Sequence, residues 1–185
     1  MSDAPQSGSR SSEPQLSDGT RPLGSGELLE RLETLGIGHR TVSHPPVFTV
    51  AESRGLRADF PGGHSKNLFL RNKKGRMWLV TCLEDRQIDL KRLAEHLGAG
   101  RFSFGSAERL MNYLGVIPGA VTPFAVINDR GGVVQMVLDA GLLELDPLHF
   151  HPLDNAMTTA VSAEGLLRFL EVADHAPQIV DLSDF

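Results

Sequence analysis

The stretch that decides the fold is "GHSKNLFLRNKKGRMWLV", which runs from Gly63 to Val80. Two largely apolar runs, "SKNLFLRN" and "RMWLVTC", flank the short polar segment "KKG". Apolar runs on either side of a glycine-containing turn predict two antiparallel strands joined as a β-hairpin. Lys66 stands at the mouth of this hairpin, so a cation lies where the strands otherwise supply core residues.

The segments around the hairpin alternate between helical and extended patterns. Helices are predicted for "SGELLERLETLG" with Ser25 as its cap, from near Val50 in "TVAESRGLRADF", and for "DLKRLAEHLG", "SAERLMNYLG" and "SAEGLLRFLEVAD". Short strands are predicted for "HRTVSH" and "HFHP", and "PFAVIND" and "VVQMVLD" on either side of "RGG" predict a second hairpin. This order mixes antiparallel strand pairs with helices and has no regular βαβ alternation, which indicates fold class α+β (mixed α/β).

The composition indicates a globular domain with a polar N-terminal segment. Residues 1–22 are rich in Ser, Gly, Pro and Asp, and their few apolar side chains cannot offset the entropy of ordering them. We therefore expect a disordered tail over 1–22 and a single domain over 23–185. The single cysteine, Cys82, excludes an internal disulfide framework, and no apolar run approaches the ~20 residues of a membrane span. These features favour a cytoplasmic protein that does not associate with a membrane.

Charge is unevenly distributed along the chain, whose formal net charge is −5. The window from Arg54 to Arg76 holds seven basic residues against one acid, Asp59, so it carries +6 and the rest of the chain −11. A protein of negative net charge does not coat nucleic acid in general, but a local basic face can steer one polyanionic end toward a site. The alternative is that these are ordinary solvated charges around a hairpin.

A glycine- and proline-rich loop lies between a predicted helix and a predicted strand, in "GVIPGAVTPFAVIND", Gly115 to Asp129. Gly115, Pro118, Gly119 and Pro123 fall within nine residues. Glycine lets backbone approach a ligand closely and proline restricts the loop to one shape. Exposed amides of such a loop can hold a carbonyl or a developing oxyanion. The alternative is a purely structural turn.

The segment "HFHPLDNAMTT" supplies two further histidines and an amide. His149 and His151 are two residues apart, so on a strand they share a face and form a candidate metal pair. One histidine can equally pack while the other hydrogen-bonds near a pocket. Asn155 can present its amide to a polar substrate group or act as a turn residue. Cys82 lies in the strand-like "WLVTC" and reads as a buried residue rather than a nucleophile.

Taken together, "GHSKNLFLRNKKGRMWLV", "LGVIPGAVTPFAVIND" and "HFHPLDNAMTT" resemble the YbaK/ProX superfamily of aminoacyl-tRNA deacylases. Within that superfamily, "KNLFL" with its "KKG" turn and "GxxPGxVTPFA" is similar to the ProX type, also called PrdX or ProXp-ala, of prolyl-tRNA editing proteins. The resemblance runs from about Leu28 to Asp174. It implies a central mixed, mostly antiparallel sheet flanked by helices, as in the editing domain of prolyl-tRNA synthetase.

The resemblance also implies which residues form the site. The residues that it gives a catalytic role are Lys66, Gly119 and His151. The residues expected to bind substrate are Asn67, Gly115, Pro118, Ala120, Val121, Thr122, Pro123 and Asn155. We expect the ammonium of Lys66 to face the Gly119–Pro123 loop across a pocket, binding a phosphate or sugar of the tRNA end while the loop amides hold the ester carbonyl. No metal and no cofactor are expected.

The activity that the resemblance implies is hydrolysis of alanine mischarged onto proline tRNA, by an enzyme that acts apart from the synthetase. The partner is then the acceptor end of a mischarged tRNA, with transient contact to prolyl-tRNA synthetase or an elongation factor left open. Three alternatives also stay open at this point. They are a deacylase for cysteine or serine, a non-catalytic module that binds aminoacyl-tRNA or an amino acid, and a metal-dependent hydrolase.

Overall fold

The computed structural model describes residues 14–46 and 61–185. Its helices are α1 (Ser25–Thr34), α2 (Leu90–His96), α3 (Ala107–Leu114) and α4 (Ala163–Val172). Its strands are β1 (His39–Ser43), β2 (Gly63–Arg71), β3 (Met77–Leu83), β4 (Ser103–Phe104), β5 (Val134–Asp139), β6 (Leu148–Phe150), β7 (Met157–Val161) and β8 (Gln178–Val180). The helix predicted to begin near Val50 lies outside the described residues, as do residues 1–13 of the predicted tail.

The strands form one mixed sheet in the order β1-β7-β6-β2-β3-β5-β8, with β4 paired to β2 beside this path. The hairpin of β2 and β3 is antiparallel, as are the pairs β1–β7, β6–β7 and β2–β4. The pairs β2–β6, β3–β5 and β5–β8 are parallel. The α+β (mixed α/β) class with a mostly antiparallel sheet is therefore confirmed.

Helices cover both faces of the sheet because successive residues of a strand point to opposite sides. On β3, Leu79 packs into a core with residues of α1, α3 and α4, such as Leu32, Leu110 and Phe169. The next residue, Val80, packs into a second core, which includes Leu93 of α2. The sheet thus separates two hydrophobic layers. Neighbouring residues of β2 face different layers in the same way, which decides where the candidate site residues point.

The prediction of a second hairpin is wrong. "PFAVIN" forms a 3-10 helix, Pro123–Asn128, and β5 pairs in parallel with β3 instead of with this segment. Proline at the first position favours a helical start, and the Thr122 hydroxyl accepts a hydrogen bond from the Phe124 amide as an N-cap. The cap predicted for α1 is also one residue off, because Gly24 is the N-cap and Ser25 is the first helical residue.

The folded part of the chain includes residues that the sequence assigns to the tail. Leu16 is buried, the Ser17 amide donates to the carbonyl of Asn112 in α3, and the Arg21 guanidinium pairs with Glu27 of α1. The expected boundary at residue 22 is therefore too late for residues 14–22, since one buried leucine and a few polar contacts suffice to hold this segment on the domain. A single domain for the remainder stays a prediction.

A buried ion pair anchors the end of α4. The Nε2 atom of His175 lies 3.0 Å from Asp129 Oδ2, and its Nδ1 atom lies 2.6 Å from the Ala173 carbonyl oxygen. Both partners can only accept, so both ring nitrogens must carry a proton and the imidazole is cationic. Burial opposes that charge, but the hydrogen bonds to Asp129 and Ala173 outweigh it and raise the pKa of His175.

We expect His175→Gln to lower the free energy of unfolding by about 3 kcal/mol, because it leaves the Asp129 carboxylate buried without its cation. A raised folded-state pKa gives stability that is complete below the unfolded-state value of 6.5 and is lost as pH rises through the folded-state value. Urea unfolding on either side of that window measures both effects. The exposed His96→Gln is the control, and a deficit for His175→Gln that does not shrink at high pH would contradict the pair's assignment.

Candidate active site

Asn67 ties the central hairpin to the glycine- and proline-rich loop. Its Nδ2 atom donates to the Val121 carbonyl oxygen at 2.9 Å, and its Oδ1 atom accepts from the Thr81 hydroxyl at 2.7 Å. Thr81 is fully buried and is the cross-strand partner of Asn67. The amide of Asn67 is therefore held from behind by β3 and fixes the position of the loop in front of it.

The loop itself is shaped by two glycines. Gly115 ends α3 with φ +66°, and a Cβ there would lie 2.6 Å from side-chain atoms of Pro22 and Asn128, so this position requires glycine. Gly119 has φ +92°, a backbone conformation that residues other than glycine rarely adopt. The Ala120 amide donates back to the Ile117 carbonyl, closing a turn over this part of the loop. The result is a defined bend rather than an open coil.

The loop residues differ in exposure. Ala120, Thr122 and Pro123 are buried, Gly119 and Val121 are half-buried, and Pro118 is exposed. Within the described residues, no hydrogen bond occupies the backbone amides of Gly119 and Val121. Unpaired backbone amides on a defined bend can act as donors to an oxyanion.

Lys66 points elsewhere. Its Nζ atom donates to the carbonyl oxygen of Arg86, and its cross-strand partner is Cys82, on the sheet face opposite Asn67 and Thr81. Among the described residues, no hydrogen bond joins Lys66 to the Gly119–Pro123 loop. The expectation that this ammonium faces the loop is therefore not met in this conformation, because adjacent residues of a strand cannot both face the same layer.

The carbonyl that receives Lys66 is supported by a buried carboxylate. Asp139 has no exposed surface, and its Oδ2 atom accepts from the Arg86 Nε atom at 3.0 Å and from the Leu83 amide at 3.3 Å. Its Oδ1 atom accepts from the Gly141 and Leu182 amides. Asp139 therefore fixes the turn after β3 and, through Arg86, the place to which the Lys66 stem extends.

His151 makes a pair with His44 beside β7. The Nδ1 atom of His151 donates to the Met157 carbonyl oxygen at 2.8 Å, while His44 Nε2 lies 2.8 Å from the Thr158 hydroxyl. The two ring centroids are 6.1 Å apart. Burial has the largest effect on the pKa of His151 and lowers it, although the hydrogen bond to Met157 raises it in part; His44 lowers it a little further and Asp154 opposes this. His151 is thus a neutral imidazole with its Nε2 lone pair available.

The two histidines of "HFHP" have separate environments. His149 lies in β6, and its ring stacks on that of His64 with the centroids 5.1 Å apart. Its Nε2 atom donates to the Pro61 carbonyl oxygen. His151 follows the end of β6 and hydrogen-bonds to Met157 instead. Burial lowers the pKa of His149 as well. The structure does not bring them together as a metal pair, and residues 14–46 and 61–185 contain no group of three potential metal ligands.

A cavity of about 480 Å³ lies behind the loop. It is lined by three of the expected site residues, Gly115, Ala120 and Asn155, together with Ser25, the first residue of α1, and Leu23, which precedes that helix. Asn155 is buried there. The backbone of Leu23 is held to the loop region by Asn128, which accepts from the Leu23 amide at 2.7 Å and donates to the Leu114 carbonyl at 3.1 Å.

The loop and His151 are linked through the core. Phe124 follows Pro123 at the end of the loop and packs edge-to-face on Phe150, which precedes His151, with ring centroids 5.6 Å apart.

Cys82 is buried in the second core, and burial raises the pKa of its thiol to about 12. A thiol with that pKa is not a nucleophile near neutral pH.

Sequence reasoning missed four residues that position the site, namely His44, Thr81, Asn128 and Asp139. His44 stands directly before two prolines, which is a signal for a strand end, but nothing local indicates that it meets His151. Each of the four acts on a partner at least 14 residues away in the chain.

Comparison with known proteins identifies the family of this chain. The family model of the aminoacyl-tRNA editing domain matches residues 44–169. The chain belongs to this family. The editing-domain assignment covers the hairpin, the loop and the "HFHP" segment, and it confirms the family resemblance of the sequence motifs.

Named relatives cover most of the chain. The prolyl-tRNA synthetase associated domain-containing protein 1 of Bos taurus is 42% identical over 159 residues, covering 83% of this chain and 92% of that protein. The prolyl-tRNA editing protein ProX of Acetoanaerobium sticklandii is 35% identical over 156 residues, covering 84% and 95%. The crystal structure of hypothetical protein APE2540 has a TM-score of 0.67 at 20% identity, covering 84% of this chain and 98% of that one, and so shares the fold.

The described part of this editing-domain protein has no helix that is both long and apolar enough to cross a bilayer.

We expect Asn67→Leu to lower the free energy of unfolding by about 1–3 kcal/mol, because the Val121 carbonyl and the Thr81 hydroxyl both lose their partner. Thr81→Val removes one of these hydrogen bonds and keeps the shape of the side chain. Urea unfolding of both single variants and the double variant forms a cycle. Purely additive losses would contradict the Asn67–Thr81 hydrogen bond, since residues in direct contact couple.

Proposed function

We propose that this protein hydrolyses the ester of alanine mischarged onto proline tRNA, acting apart from the synthetase. Membership of the aminoacyl-tRNA editing family supports the ester substrate, and the 35% identical prolyl-tRNA editing protein ProX supports the proline tRNA. The single structural observation that carries the proposal is the hydrogen bond by which Asn67 holds the Val121 carbonyl, because it fixes the loop whose amides would receive the ester oxygen.

Hydrolysis of an activated ester needs a positioned water and a place for the oxyanion, but no covalent nucleophile. The backbone amides of Gly119 and Val121 would donate to the carbonyl oxygen as it becomes an oxyanion. Pro118, Thr122 and Pro123 would keep that bend in shape, and Gly115, Ala120 and Asn155 would bound the cavity behind it. The high pKa of the Cys82 thiol is consistent with a route without a cysteine nucleophile.

His151 would act on the attacking water or on the amino group. Since its Nδ1–H is committed to Met157, only Nε2 is available, and in the neutral imidazole this atom accepts a proton. A neutral histidine at this place can orient water as a general base, with the adjacent ribose hydroxyl of the tRNA as a second partner for that water.

Lys66 would bind a phosphate or sugar of the tRNA end. To do so its ammonium must exchange the Arg86 carbonyl for a phosphate oxygen, which is a stronger, charge-assisted partner. The four-carbon stem makes such a change of direction inexpensive compared with moving the backbone. The lysine then acts from the sheet face opposite the loop, so substrate would span the end of the hairpin between the two.

Discrimination of alanine would rest on steric exclusion of larger side chains. One methylene group contributes only about 1–3 kcal/mol to binding, so attraction alone cannot select alanine.

The same proposal includes a cytoplasmic location and transient contact with prolyl-tRNA synthetase or an elongation factor.

We expect purified protein to release alanine from Ala-tRNA(Pro) faster than cysteine or serine from the same tRNA. A panel of the three mischarged tRNAs, with correctly charged Pro-tRNA(Pro) as control, measures this as release of labelled amino acid. Preference for Cys-tRNA(Pro) would overturn the alanine assignment, and binding of the charged tRNA without turnover would favour a non-catalytic module. Activity that disappears on exhaustive chelation would favour a metal-dependent hydrolase.

We expect Lys66→Met to reduce kcat/KM for alanine release by roughly 10- to 100-fold, the range expected for loss of one charge-assisted hydrogen bond. The free energy of unfolding is measured on the same sample. Asp139→Asn is the matched control, because it weakens the support behind Lys66 but keeps the ammonium. If Lys66→Met and Asp139→Asn lower the free energy of unfolding by the same amount and also lower kcat/KM by the same factor, Lys66 has only a structural role.

We expect kcat to fall as pH drops below 6.5, because a base must be neutral and burial lowers the pKa of His151. His151→Gln removes this acid limb and lowers kcat by about 10²–10⁴-fold. In His44→Gln the limb moves to higher pH, since the charge of His44 no longer opposes protonation of its neighbour. An unchanged acid limb in His151→Gln would show that another group titrates.

A further inference from the structure

A basic surface lies at the end of the central hairpin remote from Lys66. It consists of the turn Arg71–Arg76 and the adjacent segment Ala99–Gly105, and we call it the distal basic surface. These two segments contain five basic residues and no acid, in a chain whose net charge is −5. Lys73, Lys74, Arg76 and Arg101 are exposed.

The two segments are held together by one buried side chain. Asn72 is 4% exposed, and its Nδ2 atom donates to the Ala99 carbonyl oxygen at 2.8 Å. Its Oδ1 atom accepts from the amides of Lys74 and Arg76, both at 3.0 Å. β4 also pairs with β2 here, Arg71 opposite Ser103. The positive charges therefore stand on a rigid, preorganised turn and not on a loose loop.

Aromatic surface accompanies the charge. Phe104 is 61% exposed on β4, although a large apolar side chain in a strand is ordinarily covered. The Arg76 guanidinium lies over the Trp78 ring, 5.2 Å from its centroid. Beside the surface is a groove of about 570 Å³, lined by Lys91, Arg101 and Phe102 with one acid, Glu95. Cations interleaved with an exposed aromatic ring are typical of surfaces that bind RNA backbone and stack on bases.

We propose that the distal basic surface binds the sugar-phosphate backbone of the substrate tRNA at a distance from the scissile ester. This inference rests on the proposed function, because it assigns the partner from the substrate of the same protein. Lys66 and Arg71 are five positions apart on β2, or roughly 17 Å along an extended strand. A tRNA whose 3′ end lies near Lys66 can therefore also reach this surface at the far end of the hairpin.

Charge complementarity selects RNA over other partners. A chain of negative net charge repels polyanions except at a local basic face, so binding energy from phosphates must come from such a face. The surface would supply affinity for every tRNA body, while the loop and its cavity act on the amino acid. Binding would then affect KM, and the chemical step would not depend on it.

The test compares two triple variants of the full chain. Lys73→Ala/Lys74→Ala/Arg101→Ala removes three charges from the surface, and Arg31→Ala/Arg40→Ala/Arg168→Ala removes three exposed charges elsewhere. Uncharged tRNA(Pro) is titrated by fluorescence anisotropy over a series of salt concentrations. We expect the first variant to lose affinity about tenfold or more and its slope of log K against log salt to fall by about 2 to 3. The second variant keeps the wild-type slope.

The outcomes separate this inference from the proposed function. If wild type releases alanine and the first variant binds tRNA with an unchanged slope, the surface assignment is overturned and the activity stands. If no mischarged tRNA is hydrolysed but the slope falls as expected, the surface is supported and the activity is not. A raised KM for Ala-tRNA(Pro) with kcat unchanged supports the assignment. Loss of binding to anionic lipid vesicles with tRNA binding intact would overturn it.

Discussion

The hydrogen bonds of the Asn67 side chain are the constraint on which the candidate site depends. One end of this amide is held by a buried threonine on β3, and the other end holds the carbonyl of Val121. Both partners are in protein surroundings where an unpaired polar group costs about 1–3 kcal/mol, so the three groups are stable only together. The loop therefore keeps one distance from the sheet, which is what a site built from backbone amides requires.

The alternation of side chains along β2 places the adjacent residues Lys66 and Asn67 on opposite faces of the sheet. Asn67 faces the layer of α1, α3 and α4, where the loop and Phe150 also lie, whereas Lys66 faces the layer of α2. Asp139 supports the second side by holding Arg86, whose carbonyl receives the lysine. A Lys-Asn pair is thus a way to present a cation and an amide on opposite faces of one strand, at the same end of a hairpin.

The environments of His175 and His151 illustrate how hydrogen-bond partners decide the protonation of a histidine. His175 has an acceptor at each ring nitrogen and is cationic, whereas His151 has a carbonyl at Nδ1 and another histidine nearby and is neutral. Burial disfavours the charged form of both. The carboxylate of Asp129 raises the pKa of His175 and keeps its ring charged, so the pair can anchor the structure. The neutral ring of His151 retains a nitrogen lone pair that can accept a proton.

The sequence by itself determined the elements with strong local signals. The β2–β3 hairpin, the capped helices α2, α3 and α4, the burial of Cys82, and the family follow from alternation, capping residues and motifs that lie within short windows. It failed for "PFAVIN", because a largely buried apolar run has no periodicity to separate a strand from a 3-10 helix. Leu16 in the predicted tail was missed for a related reason, since one leucine carries no pattern.

Only the tertiary structure decided which side chains meet. It joined Asn67 to Val121 across 54 positions, placed His44 beside His151, and set Lys66 against Arg86 instead of the loop. Motif spacing identifies residues that act together but carries no information on the face of a strand that each one occupies once the strand is paired. Backbone geometry makes side chains alternate between the two faces of a strand. Which residues of β2 face which layer is decided by the pairing register of β2 on β3, and that register is set by burial of the two cores.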